Sequence, residues 1–274
     1  MSMSSTQFSA ESPSSAFSDV TTRLVVADLA GTTIDFGSSA PAGVFVELFQ
    51  RHGVEATAAE AREPMGTAKR DHIATMTRMP RIAEAWRAAH GTDCSEADID
   101  RLYAEFIPLQ LETLPQFDQL VPGTREMAEA LAAAGIAVAV TTGYDHEMTR
   151  VVLDAAARQG FVPSVAVCAS DVAAGRPAPW MIFRAMEKAG VYPPSAVVAV
   201  GDTIADIEAA RNAGVRAVGV TATGNMLGLS LAEYEGLSEG DRGVRLATAR
   251  EAMLAAGADA VIASVAELPA LLGV

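Results

Sequence analysis

Four short stretches carry residue types suited to chemistry on a charged, oxygen-rich group. Asp28 closes the apolar run Leu24-Val25-Val26-Ala27 and is followed by Gly31, Thr32 and Thr33. Asp202 follows Val197-Val198-Ala199-Val200-Gly201, and Asp206 comes four residues later. Singly, Asp28 suits the start of a turn and Asp202 the cap of a helix. Two strand-end acids, one from each half of the chain, can also meet at one sheet edge and hold Mg²⁺. That hard cation takes a few carboxylates together with water and phosphate oxygens. Thr142, in Thr141-Thr142-Gly143, and Arg176, in Gly175-Arg176-Pro177, add a hydroxyl and a cation. Donor, cation, metal and nucleophile together make a phosphate cradle.

A fifth stretch, Pro64-Met65-Gly66-Thr67-Ala68-Lys69-Arg70-Asp71-His72, stands out through its lysine. The chain has 18 Arg but only two Lys, Lys69 and Lys188. Wherever a positive surface charge suffices, this sequence uses Arg. A Lys therefore points to what Arg cannot do, which is chemistry at a neutral amine. The competing reading is a surface Lys on an amphipathic helix. His72, three residues on, shares a helical face with Lys69. It is placed either to shuttle protons or as a polar residue at the surface. Gly66 and Met65 either allow a close approach or serve a turn and packing, and Tyr144 either lines a pocket or is structural.

The elements that must position these residues follow from periodicity. Short apolar runs at 24–27, 136–140, 165–168, 197–200, 217–220 and 260–262 alternate, in the later part, with helix-length segments at 124–134, 146–159, 179–189 and 205–213. Continuous apolar strands alternating with helices predict a parallel sheet covered on both faces. Right-handed crossovers then give an α/β, doubly wound core. From Pro41 to Gln119 no strand is evident. Ser95-Glu96-Ala97-Asp98 reads as a capping box ahead of Ile99, Leu102, Tyr103 and Phe106 at helical spacing. The reading is a Ser-rich disordered tail over 1–20, an α/β catalytic core over 21–40 and 120–274, and an α-helical cap domain over 41–119. The cap is inserted after the first strand, over the sheet edge where open α/β folds bind ligands.

In order and placement the four core motifs resemble the haloacid dehalogenase superfamily, from Leu24 to about Gly219. That resemblance implies a Rossmann-like core, Asp28 as the nucleophile that takes a phosphoryl group, and Mg²⁺ held by Asp28 and Asp202. Asp206 is then a metal-site acid, and Thr142 and Arg176 hold the phosphoryl group. Most phosphatases of the superfamily place a second Asp two residues after the nucleophile to protonate the leaving group, but here that position is Ala30. A desolvated Lys69 amine supplies another route: a Schiff base with an aldehyde, whose protonated imine accepts the electrons of a breaking C–P bond.

The stretches AGTT with Asp35 and Gly37, EPMGTAKRDHI with MPRIAEAW, TTGYDHEM, AGRPAPWM, GDTIADIEAARNAG and Leu227-Gly228-Leu229 resemble one family in particular, the phosphonoacetaldehyde hydrolases (phosphonatases). The resemblance implies conversion of phosphonoacetaldehyde and water to acetaldehyde and phosphate, in 2-aminoethylphosphonate degradation. It also implies that the backbone carbonyl of Ala30 joins Asp28 and Asp202 at Mg²⁺, and a homodimer built through cap helices. A phosphonatase-like phosphatase for another small phosphorylated metabolite, and a non-catalytic binding protein on the same fold, are the alternative readings.

Composition bounds the partners. A formal charge of −14 argues against nucleic acid or an anionic membrane. Two well-separated cysteines, Cys94 and Cys168, argue against a disulfide framework and fit a cytoplasmic protein. The start of the chain has neither the basic nor the apolar segment of a signal peptide.

Overall fold

The computed structural model describes residues 21–274; the tail expected over 1–20 lies outside them. In chain order the main elements are β1 (Leu24–Asp28), α1 (Ser39–Arg51), α2 (Ala58–Arg62), α3 (Lys69–Arg78), α4 (Pro80–His90), α5 (Glu96–Thr113) and α6 (Thr124–Ala133). These are followed by β2 (Ala137–Thr142), α7 (His146–Arg158), β3 (Val165–Cys168), α8 (Trp180–Ala189), β4 (Val197–Gly201) and α9 (Ile204–Ala213). The chain ends with β5 (Arg216–Val220), α10 (Leu231–Glu235), α11 (Glu239–Ala256), β6 (Ala260–Ile262) and α12 (Leu268–Leu272).

The six strands pair in parallel in the order β3-β2-β1-β4-β5-β6. Each expected strand is present within two residues at either end. The order reverses direction at β1, so β1 and β4 are neighbours although some 170 residues separate them. Asp28 and the Gly201-Asp202 turn thereby leave the sheet side by side at the switch point, where open α/β sheets bind ligands.

The sheet is buried on both faces. Val25 and Ala27 pack with Met127 and Leu131 of α6, and with Met148 and Val152 of α7. Leu24 and Val26 pack with Met181 and Ile182 of α8, Ile207 of α9 and Met253 of α11. This is the alternation of a strand with helices on either side.

Between β1 and α6 the described chain is helical, α1 to α5, with a 3-10 turn at Leu114–Phe117. Its interior, built on Phe45, Phe49, Ile73, Trp86 and Phe106, is continuous with one of the two sheet-face cores. The expected capping box is present: Ser95 Oγ accepts from the Asp98 amide and Asp98 in turn accepts from the Ser95 amide.

Asp35, held at φ 57°, opens α1 by accepting the amides of Ser39 and Ala40 at 3.0 Å each. The side chain of Ser38, the residue next to the helix, makes no such bond. On the far side of the insert, Arg62 ties it to the core. Its guanidinium donates to the carbonyls of Gly37 (2.7 Å) and Gly228 (3.2 Å) and to Asn225 Oδ1 (3.1 Å), while Asn225 Nδ2 donates back to the Arg62 carbonyl.

Candidate active site

At the C-terminal edge of the sheet three carboxylates converge. One oxygen from each of Asp28, Asp202 and Asp206 lies within 4.8 Å of the others, and all three side chains are buried. Arg176 runs between them, 2.6 Å from Asp28 Oδ1 and 2.9 Å from Asp206 Oδ1. The Thr141 carbonyl and hydroxyl and the Gly66 carbonyl hold its remaining N–H groups, at 2.9, 2.8 and 3.2 Å. Asp202 accepts from the Thr32 hydroxyl (3.0 Å) and the Asn225 amide (2.7 Å). It does not cap α9; Thr203 does, in a capping box whose acid is Asp206.

Three buried carboxylates against one guanidinium leave a surplus of negative charge, and together with burial it shows in the acidity of Asp28 and Asp202. Burial pushes Asp28 up to about 6, opposed by Arg176 and reinforced by Asp206. Burial, then Asp28 and Asp206, pushes Asp202 well above the ordinary carboxylate range. A divalent cation among these oxygens neutralises that surplus, so this hard donor set fits such an ion. The backbone crowds Asp202 from two sides: a Cβ on Gly31 or Gly224 would stand 2.3 Å from its side chain, so both positions demand glycine.

Lys69 opens α3 and points into the same pocket. Its side chain is buried, with Nζ 5.1 Å from the Tyr144 ring centroid, 5.5 Å from that of Phe45 and 3.9 Å from Met65 Sδ. None of these neighbours is an anion in contact. Burial brings its amine down to about 8, against the pull of Asp28 in the other direction. The surface-Lys reading is therefore excluded by position.

The same holds for His72, which is fully buried rather than at the surface. It stacks on Phe45 at 3.7 Å and its Nε2 lies 2.9 Å from the Ala61 carbonyl. That contact makes Nε2 the protonated nitrogen and leaves Nδ1 without a partner. Burial and the nearby Lys69 push the ring well below the usual histidine range, so it is neutral at physiological pH.

Asp28, Ala30, Gly66, Lys69, Thr142 and Tyr144 line one small pocket of about 20 Å³, together with Arg176. That is room for about one water. A wider hollow of about 550 Å³ outside shares Met65 and Thr203 with it, so a single layer of residues separates the two.

Apart from His72, which packs behind Lys69 on Phe45 and the Ala61 carbonyl and does not line the pocket, the residues singled out in the sequence lie in the pocket or the adjoining carboxylate cluster. Arg176 is bound by Thr141, whereas the Thr142 hydroxyl accepts the Tyr144 amide at 3.2 Å. Gly66 and Gly143 form the seam between insert and core: a Cβ on either would stand 2.2 Å from Thr203 Oγ1 or 2.3 Å from the Thr67 carbonyl. The sequence reading named Thr32 only as a hydroxyl after Asp28, without its bond to Asp202, and passed over Phe45, Arg62 and Asn225. Asn225 carried a usable signal, since Thr221-Ala222-Thr223-Gly224-Asn225 is a Gly- and hydroxyl-rich turn at the end of an apolar strand. Phe45 and Arg62 look like any helix residues in the sequence.

Comparison with known proteins agrees with this geometry. Residues 22–214 match the haloacid dehalogenase-like hydrolase family. Phosphonoacetaldehyde hydrolase from Hahella chejuensis is 44% identical over 90% of this chain and 84% of its own. The enzyme of the same name from Nitratidesulfovibrio vulgaris is 42% identical over 89% and 88%. A crystal structure of a phosphonoacetaldehyde hydrolase-like protein from Oleispira antarctica superposes with a TM-score of 0.92 at 40% identity, covering 98% of this chain and 96% of that one. The chain belongs to the haloacid dehalogenase-like hydrolases and, within them, to the phosphonoacetaldehyde hydrolase family.

Proposed function

We propose that this protein hydrolyses phosphonoacetaldehyde to acetaldehyde and phosphate, through a Schiff base on Lys69 and an aspartyl-phosphate on Asp28. One observation carries the reading: a buried amine, brought down to about 8, shares a pocket with the Asp28 carboxylate while position 30 carries no acid.

The neutral Lys69 amine adds to the aldehyde carbon and water leaves, giving an imine that is then protonated. Neutral His72 can accept a proton at Nδ1 but cannot act as a resting acid. Asp28 attacks phosphorus on the side away from carbon. The C–P electron pair moves into the imine, which becomes an enamine, and the phosphoryl group passes to the Asp28 oxygen. The enamine takes a proton at carbon and water hydrolyses the imine, freeing acetaldehyde and the lysine. A second water cleaves the aspartyl-phosphate.

Arg176 and Thr142 hold the phosphoryl oxygens through these steps. Asp28, Asp202, Asp206 and the Ala30 carbonyl would hold Mg²⁺, which offsets phosphoryl charge when bound. Tyr144 and Phe45 keep the lysine dry. Gly66 lets the insert close against the core.

The segments 21–40 and 120–274 act as the catalytic core and 41–119 as a cap that must lift, because a pocket of about 20 Å³ does not admit the substrate. The active form is a homodimer joined through cap helices, working in the cytoplasm on 2-aminoethylphosphonate breakdown. Among the described residues no helix is long and apolar enough to cross a membrane.

The direct test is phosphate release from phosphonoacetaldehyde with and without EDTA, paired with borohydride reduction. Release that EDTA suppresses, and a reduced adduct on Lys69, are expected. Activity surviving in Lys69→Arg with no trapped adduct would overturn the Schiff-base route.

A further inference from the structure

Beyond the pocket, on the other side of the β2–α7 loop, three potential metal ligands from two neighbouring strand ends converge. His146 is the first residue of α7, Cys168 the last of β3, and Asp171 lies three residues further on. The His146 Nδ1 to Cys168 Sγ distance is 3.2 Å, and His146 Nε2 to Asp171 Oδ1 is 3.9 Å. One ring nitrogen, the sulfur and a carboxylate oxygen all lie within 4.8 Å of one another. A tetrahedral Zn²⁺, with Zn–N near 2.0 Å and Zn–S near 2.3 Å, holds such a nitrogen and sulfur roughly 3.5 Å apart.

The turn that carries two of these groups also orients them. The Cys168 amide donates to Asp171 Oδ2 at 2.8 Å and so fixes the carboxylate. Cys168 closes the site from inside, while the His146 side chain is 67% exposed and Asp171 25%, facing a hollow of about 380 Å³. This leaves a fourth position open to water. Of the two cations lining the hollow, Lys188 donates from Nζ to the Ala166 carbonyl at 3.4 Å and also draws on the Asp171 carboxylate, while Arg150 lies 3.7 Å from Asp154.

We infer that His146, Cys168 and Asp171 form a second metal site, for a borderline-soft ion of the Zn²⁺ class, distinct from the all-oxygen site at Asp28, Asp202 and Asp206. Thiolate and imidazole donors select such ions, whereas carboxylates alone suit hard ones. Binding replaces the Cys168 thiol proton, which leaves to the buffer, with an S–metal bond. The ion ties the start of α7 to the end of β3. These are the segments already joined by the Ala169 amide bonding to the Tyr144 carbonyl at 3.1 Å, so an occupied site braces the wall of the pocket that Tyr144 forms.

The test is titration of the metal-stripped full chain with Co²⁺ in excess Mg²⁺, reading the near-ultraviolet thiolate-to-cobalt charge-transfer band. One equivalent should saturate the band and Zn²⁺ should abolish it. Cys94→Ser should keep it, and both Cys168→Ser and His146→Ala should lose it. His146 is largely exposed, so its variant reads ligation even where replacing the buried cysteine disturbs folding. The Zn²⁺-induced rise in thermal midpoint should likewise vanish in His146→Ala. No band in the unmodified protein, or a band that survives in Cys168→Ser or His146→Ala, overturns the site.

Discussion

The two halves of the pocket are built on opposite electrostatic plans. The carboxylate corner sits on the ends of β1 and β4, where strand pairing fixes the backbone, and it crowds Asp28, Asp202 and Asp206 around Arg176. The lysine corner sits mainly on the insert, which surrounds Lys69 with Phe45 and Met65, while Tyr144 comes from the β2–α7 loop of the core, and no anion is placed in contact with Lys69. One corner concentrates charge, as phosphoryl transfer requires. The other removes charge, as amine chemistry at neutral pH requires. The two meet at the seam where Gly66 of the insert lies against Thr203 and Gly143 of the core against Thr67.

Replacing the central group of either corner should have the largest effect and should separate them. Asp28→Asn should lower turnover by at least ~10³-fold while the borohydride adduct on Lys69 still forms. Lys69→Arg should lower turnover as far and lose the adduct. If Asp28→Asn also lost the adduct, the corners would not be separable in this way.

Next in size is the seam. A methyl group at Gly143 would meet the Thr67 carbonyl at 2.3 Å, so Gly143→Ala should hold the corners about an ångström apart. Kinetics of that variant should show kcat/KM reduced by about 10²-fold, with the fold retained by circular dichroism.

Phe45→Ala sharpens the contrast in polarity. Removing that ring should cost ~3–5 kcal/mol of stability by chemical denaturation and let water reach Lys69. The rate of imine formation in the unmodified protein should rise with pH and level off above about 8. In the variant the inflection should move up toward the ordinary lysine value of 10.5.

The smallest effect belongs to Asp35. Burial pushes its carboxyl from 3.8 up to about 7. The native state therefore keeps a proton that the unfolded chain has released, and stability falls as pH rises across that window. Asp35→Asn should flatten the fall between about pH 4 and 7 in denaturation curves, at the cost of one of the two amide bonds that start α1.

The contrast between the corners also separates what was legible in the sequence from what was not. The carboxylate corner could be read because strands are short continuous apolar runs and their ends are marked by Asp and Gly. Pairing rules then bring the ends of β1 and β4 together. The lysine corner was legible at Lys69, through the rarity of lysine, and at Met65 and Tyr144 only as residues with two open readings. Phe45 lies 24 residues earlier and nothing local links it to Lys69; packing within the insert does. The Arg62–Asn225 tie joins residues 163 apart and has no periodic signature. Helix α11 went unread for a different reason. Of its 18 residues only Ala249 and Met253 are buried, so it carries almost no apolar stripe.

The scarcity of lysine has an experimental consequence. Lys188 is exposed, whereas Lys69 is 6% exposed and more nucleophilic than an ordinary lysine at neutral pH. Amine-selective labelling should modify the two in sequence. Lys188 marks the accessible rate, and Lys69 reacts only in the moments when the helical insert stands away from the sheet. With the difference in amine acidity allowed for, the ratio of the two labelling rates should report how often the pocket opens, with no substrate present and no introduced probe.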